Sequence, residues 1–283
     1  MLANIGMRRT RQLTDMLSYL TLTLIATVMV FPFAWMVLSS LKTVREIYAF
    51  PPRFLPETVQ WSNYLDAWRA LPFDRFFLNS VLIAVATTAG TIITCSMAGY
   101  SFARLRYPGR NALFLVYLST MTIPFPVLMI PLFIIARRFG MVDTLWGVVL
   151  PAIFSAWGTF LVRQFVLTIP RELDDAARLD GASFFRIYRD IILPLSKPVL
   201  ATLGIFTFLG AWNSFIWPLL MLSSTDNKTL PLGLQLFNSR SAMRVPWHQI
   251  MAASTFSIIP VLLIFILGQR YYIRGIALSG LKG

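Results

Sequence analysis

The sequence predicts an all-α integral membrane protein with six transmembrane helices. Its composition is apolar: 57% of the 283 residues are hydrophobic and only 13% are charged, whereas soluble domains carry about 25% charged residues. Stretches free of charge then occur at 16–41, 76–103, 111–136, 144–162, 198–225 and 245–269. Each is as long as the roughly 18 residues that indicate a membrane-spanning helix. Six such stretches in one chain argue against a soluble domain.

The basic residues predict the orientation of these helices in the membrane. With both termini on one side, that side holds 15 of the 25 lysines and arginines, among them Arg104, Arg106 and Arg110 in one short loop. Loops rich in lysine and arginine stay in the cytoplasm, so both termini are expected there. The net charge of +13 is spread between spans rather than gathered on one soluble face. We therefore expect no nucleic-acid partner.

The residues within the spans exclude several classes of function. No Asp, Glu, Lys or Arg lies in the central part of a span, which argues against a proton-driven carrier. The chain lacks a phosphate-binding Gly-x-x-x-x-Gly-Lys-Ser/Thr loop, so ATP hydrolysis is expected elsewhere. Cys95 is the one cysteine and His248 the one histidine. The sequence therefore predicts no metal site, no bound cofactor and no catalytic residue on this chain.

Two spans carry patterns that predict their shape. Small residues recur every four positions in the second span, at Ala86, Gly90, Thr94 and Ala98 and, offset from these, at Cys95 and Gly99. This spacing lets helix backbones approach closely in lipid. The third span contains Pro124, Pro126 and Pro131, and we expect a kink there because proline frees backbone carbonyls.

The longest cytoplasmic loop, residues 163–197, reads as two short helices. Acidic residues open the first helix, with Asp174 placed to pair with Arg178, and Gly181 ends it. Ser183 is expected to cap the second helix, whose apolar stripe packs under the membrane domain and ends at Pro194. This stripe consists of Phe184, Ile187, Tyr188 and Ile191. The pattern fits either a docking surface for another protein or a solvated loop.

The spacing within the 163–197 loop resembles a known signature. Asp175-Ala176-Ala177, three residues, Gly181, nine residues, Ile191, one residue and Leu193-Pro194 match the EAA loop of ABC importer permeases, with Asp175 where that family usually has Glu. The segments Ala211-Trp212-Asn213 and Trp217-Pro218, and the tail from Arg274, resemble maltose-type (MalG-like) carbohydrate permeases. These belong to the binding-protein-dependent transport inner membrane component family.

The resemblance implies a type I ABC importer permease fold in a bacterial or archaeal inner membrane. Residues 1–75 would form a tail, the first helix and an extracytoplasmic segment, 76–270 the five-helix core, and 271–283 a cytoplasmic tail. The expected partners are a second permease subunit, two ATPase subunits that bind ATP and Mg²⁺, and an extracytoplasmic solute-binding protein. The chain would form half of a pathway for a sugar or oligosaccharide.

The resemblance also assigns roles to residues of this chain. Contact with the ATPase falls to Glu172, Asp175, Ala176, Ala177, Arg178 and Gly181, supported by Phe184, Ile187, Tyr188, Ile191, Leu193 and Pro194. A second ATPase contact is expected from the tail residues Leu281, Lys282 and Gly283. The solute path is expected at Trp212, Asn213 and Trp217, with an interhelical hydrogen bond as the alternative role of Asn213.

The sequence leaves the cargo open. The loop does not distinguish a sugar from a polyol, glycerol phosphate, phosphate, polyamine or peptide as the transported solute. Two readings without an ATPase also remain, a passive membrane channel and a polytopic membrane enzyme. The enzyme would need a catalytic set near the membrane, and the acidic residues lie in loops.

Overall fold

The structure is a computed structural model that describes the backbone of residues 2–240 and 245–280 and the side chains of residues 14–237 and 245–269. Every regular element within these ranges is helical. The helices are α1 (Leu2–Ser40), α2 (Val44–Ile47), α3 (Ser62–Ala70), α4 (Phe73–Arg104), α5 (Arg110–Ser119), α6 (Phe125–Arg138), α7 (Leu145–Ala152), α8 (Ala156–Thr168), α9 (Glu172–Leu179), α10 (Phe184–Ile187), α11 (Leu193–Leu195), α12 (Lys197–Trp212), α13 (Ile216–Met221), α14 (Leu230–Arg240) and α15 (Trp247–Gly280). A π-helical turn, Tyr188–Ile192, joins α10 to α11.

Among the described residues, three helices and three bent helix pairs are apolar and long enough to cross a membrane, which agrees with the six predicted spans if each pair counts as one. Three are continuous: Thr14–Ser40, Phe73–Arg104 and Trp247–Gln269. The third span is broken, with 104° between Arg110–Thr122 and Phe125–Arg138, so the expected kink is a sharp bend at Pro124. The fourth span bends by 42° between α7 and α8.

The fifth span differs from its predicted bounds. The segment Phe184–Leu195 precedes α12 at an angle of 75° and is apolar enough to be counted with it. However, its charged residues Arg186, Arg189 and Asp190 are well exposed, so we assign the segment to the aqueous side. The span is then α12, which is about 24 Å long. This helix ends at Trp212, with Asn213 as its C-terminal cap, and the next helix, α13, begins at Ile216.

The helices fall into two compact units. Unit 1 contains residues 1–71 and 237–256, and unit 2 contains residues 72–236 and 257–283. In unit 1, the buried Lys42 ammonium donates to the Arg53 carbonyl at 2.6 Å and lies 4.2 Å from the centre of the Trp35 ring. Glu46 closes a capping box with Thr43 at the start of α2.

The core of unit 2 forms where α4 packs against α8 and α12. A methyl group on Gly99 of α4 would lie 2.8 Å from Val162 Cγ1, and one on Gly158 of α8 would lie 2.8 Å from Cys95 Sγ. These distances leave room only for hydrogen, so the backbones approach closely, as the small residues of this span predicted.

The side chains of α4 also stabilise the break in the fourth span. Where α7 ends, backbone carbonyls lose their helical partners. Thr94 Oγ1 donates to the Ile153 carbonyl at 2.5 Å and Thr91 Oγ1 to the Ala152 carbonyl at 3.3 Å. Cys95 Sγ lies 3.4 Å from the Ser155 carbonyl. Three neighbouring side chains of one helix therefore satisfy the carbonyls that the break exposes.

Candidate functional site

The first helix of the 163–197 loop, α9, has eight residues and a well-defined end. Gly181 has φ of +77°, which a residue with a side chain adopts only with strain. The Gly181 N–H donates to the Arg178 carbonyl at 3.0 Å, and the Ala182 N–H donates to the Ala177 carbonyl at 2.9 Å. This pair of bonds is the Schellman motif, so Gly181 ends α9 as predicted.

Asp174 has a different partner from the predicted one. Its carboxylate lies 3.3 Å from Arg104 at the end of α4, and both side chains are buried. The guanidinium of Arg178 instead lies over the ring of Phe184, 5.1 Å from its centre. The i,i+4 prediction was wrong because Asp174 faces inward, where a cation distant in sequence neutralises it. Burial raises the pKa of the Asp174 carboxyl, and the charge of Arg104 offsets only part of that rise.

The second helical run begins at the predicted cap, since Arg186 N donates to Ser183 Oγ at 3.3 Å. The apolar stripe, however, is shifted. Ile187 and Tyr188 are buried in the core with Ile192, whereas Phe184 is 56% exposed. Hydrogen bonds in the π-helical turn span five residues instead of four, so Ile192 takes the fully buried place predicted for Ile191. Ile191 itself packs against the core, partly buried. The helical run also continues past Pro194 to Leu195.

The outer face of α9 is open to solvent. Glu172, Asp175, Ala176 and Arg178 are exposed, while Ala177 is half-buried against the core. A cavity of about 410 Å³ adjoins this face, lined by four arginines and two aspartates: Arg104, Arg106, Arg171, Arg178, Asp174 and Asp175. Two more charges are positive than negative in the lining of this cavity, so the cavity suits an acidic group, whereas the outer face of α9 itself exposes the carboxylates of Glu172 and Asp175.

Exposed apolar side chains extend this face, and the sequence reasoning missed them. Leu179 is 91% exposed, Leu173 42% and Phe185 62%. Large apolar side chains exposed beside one another mark interaction surfaces. The signal that could have found Leu179 was its position directly before the helix end, where little of the chain packs over it.

The predicted solute-path residues do not share one environment. Trp212 is buried and donates to the Ser257 carbonyl at 3.1 Å; Trp217 is buried and donates to the Gly147 carbonyl at 3.3 Å. Asn213 is exposed at the break after α12 and donates to the Leu209 carbonyl at 2.9 Å. That bond lies within one helix, so the interhelical bond stays a prediction.

The predicted tail contact, Leu281, Lys282 and Gly283, lies outside the described residues.

Sequence comparison decides the family. The model of the "Binding-protein-dependent transport system inner membrane component" family matches residues 90–278. The chain belongs to this family. It is a permease subunit of an ABC importer, a multi-pass membrane protein and not an enzyme in its own right.

Curated relatives of this permease match over most of its length. The arabinooligosaccharides transport system permease protein AraQ of Halalkalibacterium halodurans is 35% identical over 283 residues, covering 98% of this chain and 99% of that protein. The sn-glycerol-3-phosphate transport system permease protein UgpE of Pectobacterium atrosepticum is 36% identical over 238 residues, covering 82% and 85%.

A solved structure shares the fold. A chain of a bacterial ABC transporter involved in the import of the acidic polysaccharide alginate superposes with a TM-score of 0.82. The match covers 93% of this permease and 98% of that chain at 22% identity.

Proposed function

We propose that this permease forms half of the translocation pathway for a sugar or oligosaccharide, and that α9 docks on a separate ATPase subunit that binds ATP and Mg²⁺. The outer face of α9 carries the proposal. This helix is short and has a defined C-terminal end. Its side chains Glu172, Asp175, Ala176 and Arg178 are exposed, while Asp174 is buried in an ion pair with Arg104. Movement of the ATPase would be passed to the membrane helices through this fixed helix.

The carbohydrate cargo is supported by AraQ, the relative that matches almost end to end. A second candidate cargo is glycerol phosphate, favoured by UgpE. A phosphorylated solute would need cationic groups along its path, and the central parts of the spans contain no Lys or Arg. Asn213 is the predicted path residue whose exposed amide suits hydroxyl groups.

The remaining parts of the proposal concern the assembly. A second permease subunit would form the other half of the pathway, with two ATPase subunits beneath and a solute-binding protein on the extracytoplasmic side. Both termini would face the cytoplasm, and residues 1–75, 76–270 and 271–283 would form the three successive regions. Residues 14–33 of the first span, which are exposed in this chain, would contact lipid or the second permease.

The assembly is tested by purifying the tagged permease in mild detergent and identifying the proteins that accompany it by mass spectrometry. We expect a second permease and an ATPase with a phosphate-binding loop. Uptake of a labelled arabinooligosaccharide or of sn-glycerol-3-phosphate by cells that express the assembly would then separate the two cargoes. Recovery of the permease without any ATPase in several mild detergents would contradict the proposal.

The docking face is tested by Ala176→Trp. Ala177→Trp would also disturb the core, since Ala177 packs against it, and Gly181→Asp would strain a positive φ. Ala176 is exposed, so an added indole would block docking and leave folding intact. Ala112→Trp, at an exposed position on α5, is the matched control. We expect the first variant to lose the ATPase on purification and the second to keep it; equal retention would refute docking through α9.

A further inference from the structure

Three polar side chains of α4 contact the 163–197 loop, and they lie on one face of the helix. Ser96, Tyr100 and Arg104 are spaced four residues apart, so they form a single row, here called the polar stripe. All three side chains are buried. A buried polar group is costly unless it is paired, so each of these three side chains is expected to have a hydrogen-bond or charged partner.

The partners of the polar stripe lie on both helices of the loop. Ser96 Oγ and the Tyr188 hydroxyl are 2.8 Å apart, and the Tyr100 hydroxyl donates to the Phe184 carbonyl at 3.1 Å. Arg104 reaches furthest. It donates to the Ile169 carbonyl at 2.5 Å and pairs with Asp174 of α9 at 3.3 Å. One helix therefore holds α9, the connection before it and the helical run after it.

The contacts of the polar stripe with the loop, three hydrogen bonds and one ion pair, are here called the ties. They differ in kind from the apolar packing around them. Hydrogen bonds weaken steeply away from their preferred angles, whereas apolar contacts are non-directional. A loop held by packing alone could slide or rotate on the core. Because the ties are directional and buried, a displacement of α9 must either break them or carry α4 with it.

The same helix contacts the break in the fourth span. Thr94 lies ten residues before Arg104, about 15 Å along the helix axis, and its hydroxyl holds the Ile153 carbonyl. α4 has no proline and is one uninterrupted helix of 32 residues. A rigid element thus joins the 163–197 loop at one end to a broken span in its middle.

We propose that α4 transmits movement of the 163–197 loop to the break around Ile153–Ser155, and that Ser96, Tyr100 and Arg104 are the positioning residues for this step. The proposal rests on the proposed function, in which an ATPase moves the loop. In this proposal, none of the three residues contacts the transported solute. They fix the loop to α4 so that the two move together.

The experiment uses the complete transporter with Cys95 replaced by Ser and a single reporter cysteine, Phe154→Cys, at the break. Phe154 is 66% exposed within this chain, so its replacement leaves the core intact. Labelling of the parent complex by a water-soluble maleimide first establishes that water reaches position 154. Its labelling rate is measured without nucleotide and after trapping with ATP and vanadate. In the parent complex we expect trapping to change the rate by roughly tenfold, as for a two-state equilibrium shifted by one decade.

Two variants remove the ties in different ways. Ser96→Ala with Tyr100→Phe deletes two hydroxyls and almost no volume. Arg104→Met with Asp174→Leu removes both buried charges together, which avoids an unpaired ion and preserves folding better than either change alone. We expect both variants to keep the ATPase and trap nucleotide. The labelling rate at position 154 should then be the same before and after trapping with ATP and vanadate.

Controls separate this inference from the proposed function. Ser101→Ala, on the same helix outside the polar stripe, and Arg137→Met, an exposed arginine at the end of α6, should show the same change in labelling rate on trapping as the parent. If Ala176→Trp releases the ATPase while both polar-stripe variants still respond, the transmission role of α4 is refuted and docking through α9 stands. An unresponsive parent complex would also refute the inference. A complex that lacks an ATPase would overturn the proposed function itself.

Discussion

Close packing between α4 and α8 predicts that two glycine-to-alanine variants differ strongly in their free energy of unfolding. A methyl group at Gly99 would lie 2.8 Å from Val162 Cγ1 and 3.0 Å from the Arg163 backbone nitrogen. Comfortable carbon contacts are about 3.5–4.0 Å, so the helices must separate by roughly 0.5–1 Å. Such overpacking costs about 1–3 kcal/mol. Alanine also gains about 1 kcal/mol of helix propensity over glycine, which opposes this cost.

Gly210 of α12 supplies the control. A methyl group there would meet no atom within 4 Å, so Gly210→Ala has the propensity gain without the clash. Since that gain is common to both variants, the difference in their free energies of unfolding isolates the steric cost, about 1–3 kcal/mol. The assay is unfolding of the purified permease in mixed detergent micelles. Equal stability of the two variants, or a more stable Gly99→Ala, would refute the close-packing argument.

Three further changes test single polar contacts in the same unfolding assay. Glu46→Gln weakens the capping box and should lower the free energy of unfolding by about 1 kcal/mol at pH 7. Hydrogen bonding by the Thr43 backbone N–H lowers the pKa of Glu46, so this difference should vanish as the pH falls through that lowered pKa; a pH-independent difference would count against it. Asp143→Ala should cost about 2–3 kcal/mol, because φ is +60° and the carboxylate accepts from the backbone of residues 223 and 224, whereas Asp143→Asn should cost less; the reverse order would disprove this. Thr94→Val removes the bond to the Ile153 carbonyl and should cost about 1 kcal/mol, and an unchanged stability would show that bond to be dispensable.

The sequence predicted the features that depend on local pattern. Charge-free length located the spans, small residues located the close packing of α4, and Gly181 with Ser183 located the ends of the two loop helices. Each of these features depends on residues within one helix or one turn, so the local sequence is enough to predict it.

The features that the sequence did not predict depend on distant residues or on a change of helical period. The partner of Asp174 lies 70 positions earlier, at Arg104, whereas the spacing pointed to Arg178. The π-helical turn after Ile187 moved the fully buried place from Ile191 to Ile192, and Ile191 packs against the core only partly buried. A stripe drawn with a constant period of 3.6 cannot anticipate that shift.

The order in which the chain is made gives the polar stripe a further consequence. The groups that pair with Ser96, Tyr100 and Arg104 lie 65 to 92 residues later in the sequence. When α4 leaves the ribosome, the protein partners of these three side chains have not yet been synthesised, and Arg104 must remain hydrated at the membrane surface. The second span therefore forms these contacts only once the chain beyond Tyr188 has emerged. Biogenesis of this permease thus includes a period in which a half-made bundle exposes groups that the finished protein buries.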